Sequence, residues 1–280
     1  MNNQDLRTEY ANIEKRMYPI MDYLELNKSK ETIKNFYKGF ITLQSPLLLN
    51  PEILFLGINP GQGAFNENKY HGVNETIRIF EPDKPIKLDW YKNGNARCRK
   101  KSGKWAEGYE WFERNQGINN QFVANMIELL YEVAKLKYPN ENIVSNTRPS
   151  WFETFGQKVM FTNLYPIATK NIKDLNAILK TFSKEPNLIP LFGKSNPIRK
   201  WDVQRYFIRM IEDLVKLIEP KVIVCLGTHA FNDFTFTTTR KNCKVFKSKK
   251  DHYPVIGFNR TGNWSNLIPK IAKTINNELE

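Results

Sequence analysis

Cysteine is nearly missing from this sequence. Of 280 residues only Cys98, Cys225 and Cys243 carry a thiol, far apart and without a CxxC pair, which excludes a disulfide framework and a four-thiolate zinc or iron–sulfur site. Histidine is as scarce: His71, His229 and His252 show no HxH or HxxxH spacing. Each reads as a surface or structural residue, and neither metal nor cofactor is expected. No apolar run approaches the ~20 residues that a membrane span needs, and mean hydropathy is −0.54. The opening MNNQDLRTEY has no apolar core of a signal peptide, so the expectation is a soluble, cytoplasmic protein with no membrane partner. Acids are outnumbered, 29 Asp and Glu against 42 Lys and Arg, for a net charge of +13. With 41% hydrophobic and 13% aromatic residues, the chain can bury a full core and is no disordered basic tail. Its surplus charge suggests a polyanionic partner.

The basic residues cluster. Residues 97–104 (RCRKKSGK) hold five cations and no acid, and residues 240–250 (RKNCKVFKSKK) hold six and no acid. Either run is also the composition of a solvated face. Both neighbour aromatics, Trp90, Tyr91, Trp105, Tyr109 and Trp111 at the first, Phe246 and Tyr253 at the second. Cations beside stacking rings are what nucleic-acid binding needs.

Along the chain, strands and helices alternate. Residues 4–43 read as helical, from Ile13, Met17, Ile20, Met21 and Leu24. PEILFLG (51–57), KVMFTNLYP (158–166), KVIVCLG (221–227) and PVIGF (254–258) are short apolar runs expected as strands buried on both faces. Helices are expected where Phe122, Val123, Met126, Leu129, Leu130, Val133 and Leu136 form a stripe, over WDVQRYFIRMIEDLVKLIEP up to Pro220, at THAFNDF, and where Trp264, Leu267, Ile268, Ile271 and Ile275 recur. Residues 66–117 read as a long functional loop and 167–200 as a crossover with little regular signal. The pattern predicts a single-domain α/β protein with a mostly parallel four-stranded central sheet and helices on both faces, an N-terminal helical segment (1–44) packing on a domain over 45–280. A monomer is expected.

In such sheets ligands sit beyond the carboxyl ends of the strands. The first strand runs into Gly57-Ile58-Asn59-Pro60-Gly61-Gln62-Gly63-Ala64-Phe65, where glycines let the backbone approach a ligand and Pro60 stiffens the bend. No GK[ST] follows this turn, so it is not a P-loop, and by itself it is equally an ordinary strand-to-helix loop. The predicted strand at 158–166, which carries Asn163, and the last, which runs into Asn259-Arg260-Thr261-Gly262-Asn263, meet polar residues as well. Asparagines there also serve simply to stabilise turns.

These residues resemble the uracil-DNA glycosylase superfamily. ILFLGINPG is similar to the first motif of its mismatch-specific and single-strand-selective families, in which the asparagine matching Asn59 helps place the attacking water. FTNLYP resembles the strand whose final asparagine, here Asn163, reads the edge of uracil, and EPKVIVCLGTHAF resembles a helix–strand–Gly-x-x-Ala segment. NRTG (259–262) stands where those families have Asn-Pro-Ser-Gly or His-Pro-Ser, and lacks the proline and serine. The likeness spans roughly residues 45–275 in motif order. It implies the superfamily's three-layer fold and a metal-free DNA glycosylase acting on uracil or another damaged or modified base in single- or double-stranded DNA.

The chemistry fits the residue types. Breaking an N-glycosidic bond needs a held water on one face of the sugar and hydrogen-bond donors at the departing base on the other. Asn59 and Asn259 are the expected catalytic pair. Gly57, Ile58, Gly61, Gln62, Gly63, Phe65 and Asn163 are expected around the base, and Arg97, Arg99, Lys100, Lys101, Arg260, Thr261, Lys247 and Lys249 on the DNA. Two other readings stay open: a base- or nucleic-acid-binding protein of this fold without catalysis, and a nucleotide enzyme that uses the glycine turn for a phosphate.

Overall fold

A computed structural model describes residues 3–37, 39–40, 42–43, 45, 47–60, 121–140, 158–193, 197–239, 244–260 and 264–280. In chain order the elements are α1 (Asn3–Lys15), α2 (Tyr18–Leu26), α3 (Glu31–Lys34), β1 (Gly39–Phe40), β2 (Ile53–Gly57), α4 (Gln121–Lys137), β3 (Val159–Asn163), β4 (Ile167–Ala168), α5 (Ile172–Phe182), α6 (Ile189–Phe192), α7 (Lys200–Ile218), β5 (Val222–Cys225), α8 (Thr228–Thr235), β6 (Val245–Lys250), β7 (Tyr253–Phe258), a 3₁₀ turn (Trp264–Leu267) and α9 (Ile268–Leu279). They fall into two compact units, one gathering the described residues of 1–43, 59–86 and 163–218, the other those of 44–58, 87–162 and 219–280.

The second unit is built on a five-stranded sheet of order β3-β2-β5-β7-β6. Every side chain of β2, β3 and β5 is buried, which is why these strands are continuous apolar runs with no alternation. β2 and β7 both pair with β5 in parallel, and the register puts Leu56, Cys225 and Gly257 level across the sheet. The Glu52 amide donates to the Lys158 carbonyl at 2.7 Å where β2 and β3 begin, so β3 starts beside the start of β2 and runs the same way. The sheet is thus α/β and mostly parallel, with one strand more than the four expected.

That fifth strand, β6, pairs antiparallel with β7 at the edge. It lies inside the run 240–250, which shows only as a block of charge because Phe246 alone is buried while Lys247 and Lys249 are exposed. Lysines on an edge strand are the usual guard against pairing with another chain. The turn to β7 is closed by Asp251, whose φ of 54° lies in the left-handed region that a tight hairpin uses. Gly257 is required by packing: a Cβ there would come within 2.5 Å of the Phe231 ring, so α8 lies tight against β7. α4 and α9 pack on each other, α4 burying Met126, Leu129, Leu130 and Val133 and α9 burying Ile268, Ile271, Ala272 and Ile275. Leu136, expected in the buried stripe of α4, is 44% exposed, two residues beyond Ala134, the last buried residue of the helix.

The first unit is helical around the short antiparallel pair β1–β4. α7 buries Val203, Phe207, Ile208, Ile211, Leu214 and Ile218 along one stripe, with Tyr165 edge-on to Phe207 at 5.8 Å. α1 lies on α7, fastened by Arg16 to Asp213 at 2.7 Å. The segment 167–200, expected to be irregular, holds the 11-residue helix α5. Asn171 caps it, its Oδ1 accepting from the amides of Lys173 and Asp174 at 2.8 and 3.1 Å, and Leu175, Ile178, Leu179 and Phe182 are its buried stripe.

Candidate active site at the strand ends

In the sheet unit, the parallel register means that the chain leaves β2, β5 and β7 at one and the same edge. Gly57 ends β2 and is buried, and Ile58 after it is half-buried. The Leu226 amide donates to Leu56 at 2.8 Å, binding the exit of β5 to that of β2. Gly227 has a φ of 114°, and a Cβ on it would meet the Cβ of Arg260 at 3.7 Å, so the exits of β5 and β7 also come together. Asn259 is half-buried, its amide donating to the Lys244 carbonyl at 3.0 Å. Arg260 is exposed, yet desolvation by the protein about its guanidinium lowers its pKa from the usual arginine value; it remains a cation. On β6, Lys247 pairs with Glu278 at 2.8 Å.

In the helical unit, Asn59 is held by an unusual number of acceptors. Its Nδ2 donates to the Pro60 carbonyl at 2.9 Å, to the Ile167 carbonyl at 3.0 Å and to Thr169 Oγ1 at 3.0 Å. Two of these acceptors are backbone carbonyls, which cannot donate, so the atom facing them must be the NH₂ and not the oxygen of the amide. Thr169 Oγ1 in turn donates to the Asn171 carbonyl at 2.9 Å, and the Thr169 amide donates to the Pro60 carbonyl at 3.2 Å. The turn at 59–60 is therefore clamped by the exit of β4, and that exit is anchored to the cap of α5. Asn59 is half-buried, and its Oδ1 has no partner among the described residues. An amide fixed at its nitrogen presents its oxygen as a positioned acceptor. Asn163, the last residue of β3, is 2% exposed and hydrogen-bonded or otherwise engaged.

Gly61, Gln62, Gly63, Phe65, Arg97, Arg99, Lys100, Lys101 and Thr261 lie outside the described residues, as do His71, Cys98 and Cys243. Thr169 is the site residue that the sequence reading missed. Its local signal was the Thr-x-Asn-x-x-Asp pattern at 169–174, which marks a helix start. Among the described residues, no group of three His, Cys, Asp or Glu side chains is arranged to hold a metal ion, and no helix is long and apolar enough to cross a membrane. Comparison with models of known protein families and with curated protein sequences finds no match.

Proposed function

We propose that the protein is a DNA glycosylase of the uracil-DNA glycosylase superfamily, with that superfamily's three-layer fold, hydrolysing the N-glycosidic bond of uracil or another damaged or modified base. The observation that carries this is the fixed amide of Asn59, whose Oδ1 is left to accept a hydrogen bond from a water. That water attacks the sugar C1′ as the bond to the base nitrogen breaks; the base leaves with the bonding electrons, and the water's proton is released to solvent or to the base. Asn59 orients the water but cannot take its proton, so bases that leave easily are the substrates. Asn259, just past β7 in the sheet unit, is proposed as a second catalytic residue on the strength of the family resemblance. Arg260, Lys247 and Lys249 contact phosphates.

The test is incubation of the full chain with oligonucleotides carrying uracil, mismatched thymine or modified pyrimidines, followed by alkaline cleavage at abasic sites. Asn59→Ala should lower excision by about two orders of magnitude, as loss of one positioned polar group in a preorganised site does, while oligonucleotide binding persists. Equal excision by Asn59→Ala and wild type would refute the assignment. The missing proline and serine in NRTG favour a second reading, a base-binding protein without catalysis. It takes over if wild type excises none of these bases yet binds unpaired ones.

A further inference from the structure

The exposed face of α7 carries a pattern that the proposed active site does not use. Trp201, Arg205 and Arg209 recur every four residues and are all exposed, while Val203, Phe207, Ile208 and Ile211 on the other face are buried. Residues four apart lie about 6 Å from one another along a helix, so the three form a single line. Trp201 is 45% exposed, unusual for so large an apolar side chain on a helix that otherwise buries its apolar residues. The guanidinium of Arg205 lies over its ring, 5.8 Å from the centroid. Arg199, just ahead of the helix, is exposed too. None of the three arginines has a carboxylate partner among the described residues. Of the acids on the helix, Asp202 accepts from the Arg199 backbone amide at 2.9 Å and so faces the start of the helix, and Glu212, three residues beyond Arg209, is half-buried. In the later half, Asp213 is taken by Arg16.

We infer that this line is a binding surface for single-stranded nucleic acid, with Arg199, Arg205 and Arg209 on phosphates and Trp201 stacked on an unpaired base. Guanidinium groups match phosphate oxygens in pairs. An exposed ring beside them gains nothing from a carboxylate-rich peptide but offers a π-face to a base. In a duplex the bases are already stacked on one another, so a flat exposed ring selects unpaired strands.

Binding of a labelled oligothymidylate, which carries no uracil, mismatch or modified base, is measured by fluorescence anisotropy against salt, with polyglutamate as competitor. Arg205→Gln/Arg209→Gln should reduce the slope of log affinity against log salt by about 1.4, from two lost phosphate contacts on a single strand. Trp201→Ala should bind about tenfold more weakly with the slope unchanged, and Trp201→Phe should restore most of that loss. Unchanged affinity and slope in these variants, in protein whose circular dichroism matches wild type, would overturn the inference. So would polyglutamate displacing the oligonucleotide equally well from wild type and Trp201→Ala. Probe binding and base excision are read separately, so failure here leaves the glycosylase proposal untouched, and failure of excision leaves this surface untouched.

Discussion

Glu14 is 4% exposed on α1, and its side-chain partners among the described residues are hydroxyls. Thr42 Oγ1 donates to its Oε1 at 3.1 Å and Tyr10 Oη donates to Thr42 Oγ1 at 2.9 Å. Tyr10 and Tyr18 are the titratable groups that face it, and the neighbouring cation Arg16 is committed to Asp213. Burial pushes the Glu14 carboxyl from 4.5 up to about 8, against the hydrogen bonds of Tyr10 and Thr42. The folded state therefore holds this proton more tightly than the unfolded chain does. The favourable contribution is complete below the ordinary carboxylate pKa and is lost as pH rises through the folded one. Each pH unit in that window costs about 1.4 kcal/mol, so stability should fall by about 3 kcal/mol between pH 5 and pH 7.5. Glu14→Gln keeps the shape and an acceptor for Thr42 but removes the titration. Urea unfolding followed by circular dichroism should find the variant within about 1 kcal/mol of wild type at pH 5 and about 3 kcal/mol more stable at pH 7.5. Parallel curves for the two proteins over this range would refute the assignment of a buried neutral Glu14.

Other outcomes follow from single contacts. Gly257→Ala forces a methyl into the Phe231 ring and should destabilise by about 1–3 kcal/mol in the same urea assay, with Phe231→Leu in the double variant recovering part of the loss. Lys249 has no partner among the described residues, whereas Lys247 is already paired with Glu278. If β6 contacts duplex phosphates, Lys249→Gln should reduce the salt slope of duplex binding by about 0.9 and Lys247→Gln by less; equal slopes for both variants and wild type would remove β6 from the interface. Asn59→Asp would set a carboxylate oxygen against the Pro60 and Ile167 carbonyls. It should destabilise by about 1–3 kcal/mol at neutral pH and recover in acid, where a protonated carboxyl can donate again. A variant as stable as wild type at pH 7.5 would mean that the Asn59 nitrogen is not what these carbonyls hold.

The parts of the fold that the sequence makes legible are those whose burial is uniform. A parallel strand covered on both faces needs apolar residues at every position, so ILFLG and VIVC stand out with no knowledge of their neighbours. β6 is an edge strand with one buried side chain, Phe246, and its period of two is hidden under a charge that solubility and negative selection against pairing demand equally. α5 was readable from its cap at Asn171 and its apolar spacing, but flanking lysines and prolines diluted the signal over the longer window.

The site divides along the same line. Strand exits can be found from sequence, because a buried apolar strand ends where polar residues begin, and Asn59 and Asn259 are each found that way. What Asn59 can do is decided elsewhere. Thr169 and Ile167 come to it across more than a hundred residues, from a two-residue strand that has no periodicity to detect. Their acceptors decide which end of the amide is held and which is offered. With the roles reversed, the same asparagine would offer a donor and could not accept a hydrogen bond from water at that point. The residue type is written locally, but the polarity it shows outward is set by the carbonyls packed behind it.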